Sequence, residues 1–301
     1  MDKRIIKALT SPSFACLAIL HKLSPLIKSD ELYLKIVYWL SMGKRLNLKN
    51  PKTFNEKLQW LKLYNRKPEY TIMVDKVKAK EYVAKIIGKE HIIPTLGVWD
   101  KFENIDFSTL PDKFVLKCSH DSGGLVICKD KSKLDMKKAR KRIDFCLRRN
   151  YYNATREYPY RNVPHVVLAE KYMTNNEGTE ELTDYKFFCF NGYVDCVMVC
   201  LDRFKGDTKF YFFNKEWKLL RLNPRGIAAP EGFTIPKPAN MDAMFDMASR
   251  LSQGIPFVRV DLYDINNQIY FGEMTFFPDS GCDPNLLPKT DEYFGNLLKI
   301  N

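Results

Sequence analysis

Hydrophobic and polar positions alternate with period two across residues 257–263. Phe257, Arg259, Asp261 and Tyr263 fall on one face of a strand, and Val258, Val260 and Leu262 on the other. Residues 269–275 are β-rich in the same way, and Asn266 and Asn267 between the two runs are turn formers. If the loop takes three residues, 266–268, Ile265 pairs with Ile269, Asp261 lies opposite Glu273 and Arg259 lies opposite Thr275. A loop of two would send the carboxylates to opposite faces, because one step of register inverts every side chain. Carboxylates that face each other across strands repel unless a cation lies between them. Oxygen ligands on rigid strands, beside a hydroxyl and an arginine, suit Mg²⁺, which takes one or two carboxylates and fills its other positions with water and phosphates. The pattern predicts a Mg-nucleotide site at Asp261 and Glu273; the alternative is a solvated hairpin whose Arg259 pairs with one exposed carboxylate.

Upstream, residues 1–50 read as basic helical pieces separated by Pro25, with Leu17, Leu20 and Leu23, then Leu32, Ile36 and Leu40, at helical spacing. Such helices either cap a core or lie on an anionic membrane. Thr53 and Glu56 have the spacing of a capping box and open a helix that runs through Tyr64. Residues 75–87 form another, ended by Gly88. Lys76 in its first turn is badly placed for a cation unless an anion lies close. Residues 114–117 and 125–128 are short strands whose connection contains Gly123 and Gly124. Glycines let backbone N–H groups approach a phosphate, although a plain hairpin loop would need no such role. The loop is neither a Walker A motif nor a dinucleotide-binding fingerprint.

Residues 129–142 read as a solvated, charged helix, and residues 165–169 as a buried strand that runs into Glu170, Lys171, Tyr172 and Met173. Residues 184–190 and 193–201 flank Asn191-Gly192, a strong hairpin signal. Asp184, Lys186 and Phe188 then share a face, where two aligned charges point to a ligand or to an edge-strand ion pair. A strand at 210–213, a proline-rich connection at 224–238 and an amphipathic helix at 240–253 complete the pattern.

A chain of 301 residues, 45% hydrophobic and 13% aromatic, has ample material for one large domain or a few lobes. No apolar run nears the ~20 residues of a membrane helix. The apolar run at 14–20 is followed by His21, Lys22, Pro25 and Lys28 without a small-residue cleavage site, so the chain reads as cytosolic. Eight cysteines without a C-x-x-C pair and four scattered histidines suggest buried thiols in a reducing compartment rather than a zinc site. The net charge of +12 favours anionic partners. No basic-aromatic motif of a nucleic-acid reader is present, and no nucleic acid is expected as a partner.

In combination, the segments VDKVKAKEYV, LPDKFVLKCSHDSGG, VLAEKYM, DYKFFCFNG and the stretch 259–281 resemble the ATP-grasp superfamily, and closely its TupA-like branch, from roughly residue 45 to the end. That branch is named for teichuronopeptide biosynthesis. The order of elements is also similar to that of D-alanine:D-alanine ligases. The resemblance implies an α+β ATP-grasp fold, two α+β lobes clasping ATP, behind a helical N-terminal extension. The implied divisions are the basic extension at 1–50, a helical subdomain at 51–112, a lid subdomain with the glycine loop and adenine hinge at 113–173, and a C-terminal subdomain with the Mg²⁺ site at 174–301.

Carried over residue by residue, the resemblance implies that Lys76 and Lys117 meet the ATP phosphates and that Ser122, Gly123 and Gly124 form a mobile lid. Glu170, Lys171, Tyr172 and Met173 would be the hinge beside adenine, Asp184 the ribose partner and Lys186 a further phosphate ligand. Asp261 and Glu273 would hold Mg²⁺, and Arg259 would steady the transferring phosphoryl group or the acyl phosphate's oxyanion. Many relatives carry Glu-x-Asn where this chain has Glu273 and Thr275, so Thr275 takes the asparagine's place as a metal candidate, directly or through bound water.

The implied reaction is ATP-dependent joining of a carboxylate to an amine through an acyl phosphate. The branch points to surface-polysaccharide assembly, in which a uronic-acid-containing glycan or its activated precursor is joined to an amino acid or another amine. Such chemistry would take place in the cytoplasm or, through residues 1–50, on the inner face of the plasma membrane. Two alternatives stay open: an ATP-grasp kinase that phosphorylates a sugar hydroxyl, and a relative that binds an anionic glycan without turnover.

Overall fold

The β-rich runs and helical periods of the sequence build two antiparallel sheets with helices packed against them in a computed structural model, which describes residues 12–121, 123–175, 182–202 and 208–300. The chain runs through α1 (Pro12–Leu23), α2 (Asp30–Met42), α3 (Phe54–Tyr64), α4 (Glu69–Val74) and α5 (Lys78–Ile87) before its first strand. Strands β1 (Thr95–Trp99), β2 (Phe114–Cys118) and β3 (Leu125–Cys128) follow, then α6 (Met136–Leu147), α7 (Tyr151–Thr155) and β4 (Val167–Lys171). Strands β5 (Asp184–Phe190), β6 (Tyr193–Leu201), β7 (Lys209–Phe213) and β8 (Leu219–Leu220) lead to α8 (Pro224–Ala228) and α9 (Met241–Leu251). The chain closes with β9 (Val258–Ile265), β10 (Gln268–Thr275) and α10 (Pro288–Leu297).

The smaller sheet has the order β1-β4-β2-β3 and the larger β10-β9-β5-β6-β7-β8. A core of Phe187, Val197, Phe213, Phe245 and Val260 underlies the larger sheet, and Phe114, Leu116, Ile143 and Val167 underlie the smaller. The expected boundary at residue 113 therefore falls too late. Strand β1 pairs with β4, and Phe102, Ile105 and Leu110 belong to the smaller core, because the strand's neighbours in space come from some seventy residues downstream. The helices α3 to α5 bury Phe54, Leu58, Met73 and Val83 in the larger core rather than in one of their own.

Local chemistry explains several element ends. Thr53 and Glu56 form the expected capping box at the start of α3. Helix α5 begins three residues later than expected: Asp75 accepts from the N–H groups of Val77 and Lys78, which leaves Lys76 in the turn before it. Similarly, α6 starts only after Asp135, which caps the N–H of Lys138, so the helix covers 136–147 instead of 129–142. The β5–β6 turn has Asn191 and Gly192 both at positive φ, as a two-residue hairpin requires.

The β9–β10 hairpin reaches its expected pairing by a different route. Its loop has two residues, Asn266 and Asn267, at φ 54° and 60°, and Gln268 pairs with Ile265. That turn alone would put the carboxylates on opposite faces. A bulge between Phe271 and Glu273 inserts Gly272 and shifts the register back, so that Asp261 faces Glu273 and Arg259 faces Thr275. Glycine is demanded there, because a Cβ would lie 2.9 Å from Tyr263 Cε2 and 3.0 Å from the Asp261 carbonyl oxygen.

Beyond β10 the chain turns at Asp279 and Ser280, both at left-handed φ. This turn is held from beneath. The buried Lys62 donates to the carbonyls of Thr155 (2.9 Å) and Ser280 (2.7 Å) and to the Ser280 hydroxyl (2.9 Å), and that hydroxyl donates to the buried Glu157 at 2.9 Å. Gln59 donates to the carbonyls of Ser280 and Gly281. Burial pushes the Glu157 carboxyl up to about 7, against the pull of Lys62.

The N-terminal helices are fastened by Asp30 and Arg156. Asp30 pairs with Arg66 (2.7 Å) and Arg156 (3.0 Å), and Arg156 donates to the carbonyls of Ser24 and Ile27. On α2 the buried face is Tyr33, Leu34 and Tyr38; of the helically spaced Leu32, Ile36 and Leu40, Leu32 is exposed and the other two are half-buried.

Two expectations follow. Replacing Gly272 with Val should destabilise the fold by about 2 kcal/mol through overpacking against β9, read by urea denaturation. Glu157 binds its proton more tightly folded than unfolded, so its contribution falls as pH rises from about 4.5 to about 7. At about 1.4 kcal/mol per pKa unit the fall is on the order of 3 kcal/mol, and Glu157→Gln should flatten it in denaturation series across that window.

Candidate active site

Three adjacent strands of the larger sheet bring the charged residues together. Asp261 on β9 lies opposite Glu273 on β10 and opposite Lys186 on β5. Arg259, two residues before Asp261 and on the same face, donates Nε to Asp261 Oδ1 and Nη2 to Asp261 Oδ2, both at 2.7 Å. Its Nη2 also reaches Glu273 Oε1 at 3.3 Å and Thr275 Oγ1 at 3.1 Å, and Thr275 Oγ1 donates to Glu273 at 3.3 Å. Lys186 donates to Asp261 Oδ2 and pairs with Asp184 at 3.4 Å. The cation required between the carboxylates is thus the guanidinium of Arg259.

The two carboxylates are not equivalent. Asp261 is 1% exposed, whereas the Glu273 side chain keeps 44% of its surface and lines a cleft. Burial pushes Asp261 above the usual carboxylate range, with Arg259 and Lys186 pulling the other way. Burial also opposes ionisation of Glu273, but Lys76, Arg259, Lys186 and Lys117 together hold it at about 2.

The cleft's other wall comes from the smaller sheet and the start of α5. Glu170 on β4 pairs through Oε2 with Lys117 of β2 and through Oε1 with Lys80 of α5, each at 2.6 Å. Lys80 also donates to the Ile93 carbonyl and the Thr95 hydroxyl. Burial would raise Glu170, but Lys117 and Lys80 outweigh it and lower the carboxyl. Lys76 donates to the carbonyl of Asp121 at 2.9 Å, and its N–H donates to that of Ser119. Apolar surface from Val74, Ala79, Ile92, Phe271 and Met274 fills the space between the charged walls.

These pairs divide the cleft's charge. On the β5–β9–β10 side, Arg259 and Lys186 face Asp184, Asp261 and Glu273, two cations against three carboxylates. On the opposite side Lys80 and Lys117 share Glu170, with Lys76 nearby. A cation suits the first side and an anion the second.

The residues present fit Mg²⁺. Asp261, Glu273 and Thr275 offer oxygen only, Glu273 is ionised and open to the cleft, and no group of three or more His, Cys, Asp or Glu among the described residues could cage a metal alone. That is the donor set of an ion that completes its shell with phosphates and water.

The glycine loop is rooted in the smaller lobe. His120 is fully buried, stacks on His165 at 3.6 Å and bonds through Nε2 to the carbonyls of Cys146 and Arg149. A Cβ at Gly124 would lie 2.9 Å from Cys146 Cβ and 3.0 Å from Cys118 Sγ. Gly123 at the tip is exposed, and Ser122 lies outside the described residues.

Of the residues singled out by sequence, Lys76, Lys117, Glu170 and Glu273 line the cleft, and Arg259, Lys186, Asp261 and Thr275 join it through the ion network. Asp184 is buried beside Lys186 rather than in the cleft wall. Lys171, Tyr172 and Met173 follow Glu170 at the end of β4, where the Lys171 N–H donates to the Pro94 carbonyl. The Glu170 side chain is a charged part of the wall. Sequence reasoning passed over Lys80, four residues after Lys76, and Tyr160, which also lines the cleft. The one-turn spacing of the two lysines was a visible signal; nothing local marked Tyr160.

Among solved structures, the chain is similar to the D-alanine–D-alanine ligase of Bacillus anthracis, with 14% identity and a TM-score of 0.43 over 82% of this chain and 69% of that one. The corresponding ligase of Helicobacter pylori gives 16% identity and a TM-score of 0.41 over the same shares. The ATP-grasp ligase PsnB, solved with a minimal precursor, Mg and ADP, gives 10% identity and a TM-score of 0.38, over 73% of this chain and 57% of that one. No curated protein sequence matches the chain. The profile of the family described as TupA-like ATPgrasp matches residues 56–299, which takes in both sheets and every charged residue of the cleft. The chain belongs to the TupA-like ATP-grasp family and has its α+β fold.

Proposed function

We propose that this ATP-grasp ligase activates a carboxylate as an acyl phosphate and passes it to an amine, with the uronic acid of a surface glycan or its activated precursor as the acid and an amino acid or another amine as the acceptor. The observation that carries the reading is the divided charge of the cleft, with surplus lysines on one wall and surplus carboxylates on the other. ATP is a substrate here. Lys117 and Lys76 would exchange Glu170 and the Asp121 carbonyl for phosphate oxygens, while Lys80 stays on Glu170 and keeps that carboxylate compensated.

Asp261 and Glu273 would hold Mg²⁺, with Thr275 beside them, and the ion would supply charge neutralisation for the phosphates. Lys186 and Arg259 would then turn from Asp261 to the phosphoryl group and the substrate carboxylate. An oxygen of that carboxylate forms a bond to the γ-phosphorus as the bond to the β-bridging oxygen breaks and ADP leaves. The amine nitrogen next attacks the acyl carbon, phosphate leaves with the acyl oxygen, and the amine proton passes to solvent. Two anions repel in water, so most of the chain's work is positioning and charge compensation. The glycine loop, rooted by His120 and exposed at Gly123, would cover the phosphates and exclude water. A net charge of +12 suits an acidic glycan.

Glu273→Ala should abolish Mg-dependent heat of ATP binding in calorimetry and cut turnover at least about a hundredfold, with only a modest loss of thermal stability because Glu273 is half-exposed. Lys117→Ala should weaken ATP binding about tenfold or more, the loss of one charged hydrogen bond; unaltered affinity would remove it from the phosphate site. With wild-type protein, ADP release should require a uronic acid and an amine together. ADP release with a neutral sugar alone, with label from the γ-phosphate retained in the sugar, would replace ligation by hydroxyl phosphorylation.

A further inference from the structure

Helix α1 has no buried residue, although most of its positions are apolar. Ile19 and Leu23, one turn apart, are exposed by 58% and 47%, and Leu26 in the turn that follows by 76%. Helix α2 is apolar on two faces. Tyr33, Leu34 and Tyr38 point into the protein, whereas Leu32 and Trp39, exposed by 53% and 58%, lie roughly opposite them at about 100° per residue. A helix on the surface of a globular protein normally carries polar residues outward, and five large exposed apolar side chains within one short segment call for a partner.

The charge around them is one-sided. Residues 12–50 contain six basic side chains, Lys22, Lys28, Lys35, Lys44, Arg45 and Lys49, and two acidic ones. All six basic residues are exposed. Asp30 turns inward to Arg66, Arg156 and Tyr152, and Glu31 is taken up by Lys35. The outer surface therefore offers apolar anchors, one of them a tryptophan, among cations with few free anions. A second copy of this surface would bring like charges together, whereas anionic lipid headgroups complement it, and the acyl boundary takes up Leu and Trp side chains.

We propose that α1, the turn at Leu26 and the outer face of α2 form a docking surface for an anionic membrane, with Ile19, Leu23, Leu26, Leu32 and Trp39 entering the headgroup boundary and Lys22, Lys28, Lys44 and Arg45 meeting lipid phosphates. The surface stands apart from the ligase reading and needs no nucleotide. Arg156 ties the turn after α1 and the start of α2 to the body of the protein through Ser24, Ile27 and Asp30.

The test is co-sedimentation of the full chain with vesicles of phosphatidylcholine alone and of phosphatidylcholine and phosphatidylglycerol in equal parts, without ATP. Wild-type protein should sediment only with the anionic vesicles. The double variant Leu26→Ser, Trp39→Ser should lose at least about tenfold in partitioning. Lys22→Gln and Lys28→Gln should each lose about fivefold, with unfolding midpoints unchanged because all four side chains are exposed. No sedimentation of the wild type, or undiminished sedimentation of the double variant, would overturn the proposal. So would self-association in analytical ultracentrifugation that the double variant abolishes, without vesicle binding, since a second copy would then be the occupant. ATP binding measured in parallel reads the ligase site separately.

Discussion

The carboxylate of Asp261 is almost wholly removed from solvent, and the cleft depends on how that charge is compensated. Burying an ion costs several kcal/mol unless geometry and hydrogen bonds repay it. Here repayment comes from a bidentate guanidinium on the same strand and an ammonium on the neighbouring strand, so that Arg259, Asp261 and Lys186 form one compensated unit across β9 and β5. Such units add little net stability, but they fix direction. Glu273, at the edge of the unit, is left ionised and open to the cleft, so that one carboxylate is buried within the sheet's ion network and the other faces the opening.

The rest of the larger sheet serves this geometry. A two-residue turn with both asparagines in the left-handed region suits the twist of β9 and β10, yet by itself it would separate the carboxylates. The bulge at Gly272 resolves the conflict, and it works only with glycine because the neighbouring strand's backbone lies too close for a Cβ. Below the strand ends, Lys62 and Gln59 hold the carbonyls of the left-handed turn at Asp279 and Ser280, and Glu157 takes the Ser280 hydroxyl. A fully buried lysine and glutamate are thus spent on the backbone that follows β10.

The smaller lobe follows the opposite rule. Its cations Lys117 and Lys80 outnumber the one carboxylate they share, Glu170, and its glycine loop is fixed at the base while Gly123 is exposed.

The sequence by itself determined what rests on local periodicity and local hydrogen bonds. The alternation in β9, the Asn191-Gly192 turn, the capping box at Thr53 and the motif order that marks the family are all statements about neighbours in the chain. The same is true of the candidate charges, since hydrophilic residues at strand positions that should be buried announce themselves. Tertiary structure alone decided which partners those charges find. The pairing of Glu170 with Lys80 and of Asp261 with Lys186 joins residues ninety and seventy-five positions apart, and loop closure over such distances leaves no local trace. The register at Glu273 was read from a loop length that proved wrong, and a bulge restored it, because backbone crowding between strands is invisible until the strands are side by side. Which face of α2 is buried was left open by the sequence for a related reason: a helix apolar on both sides gives the same period whichever side the protein covers.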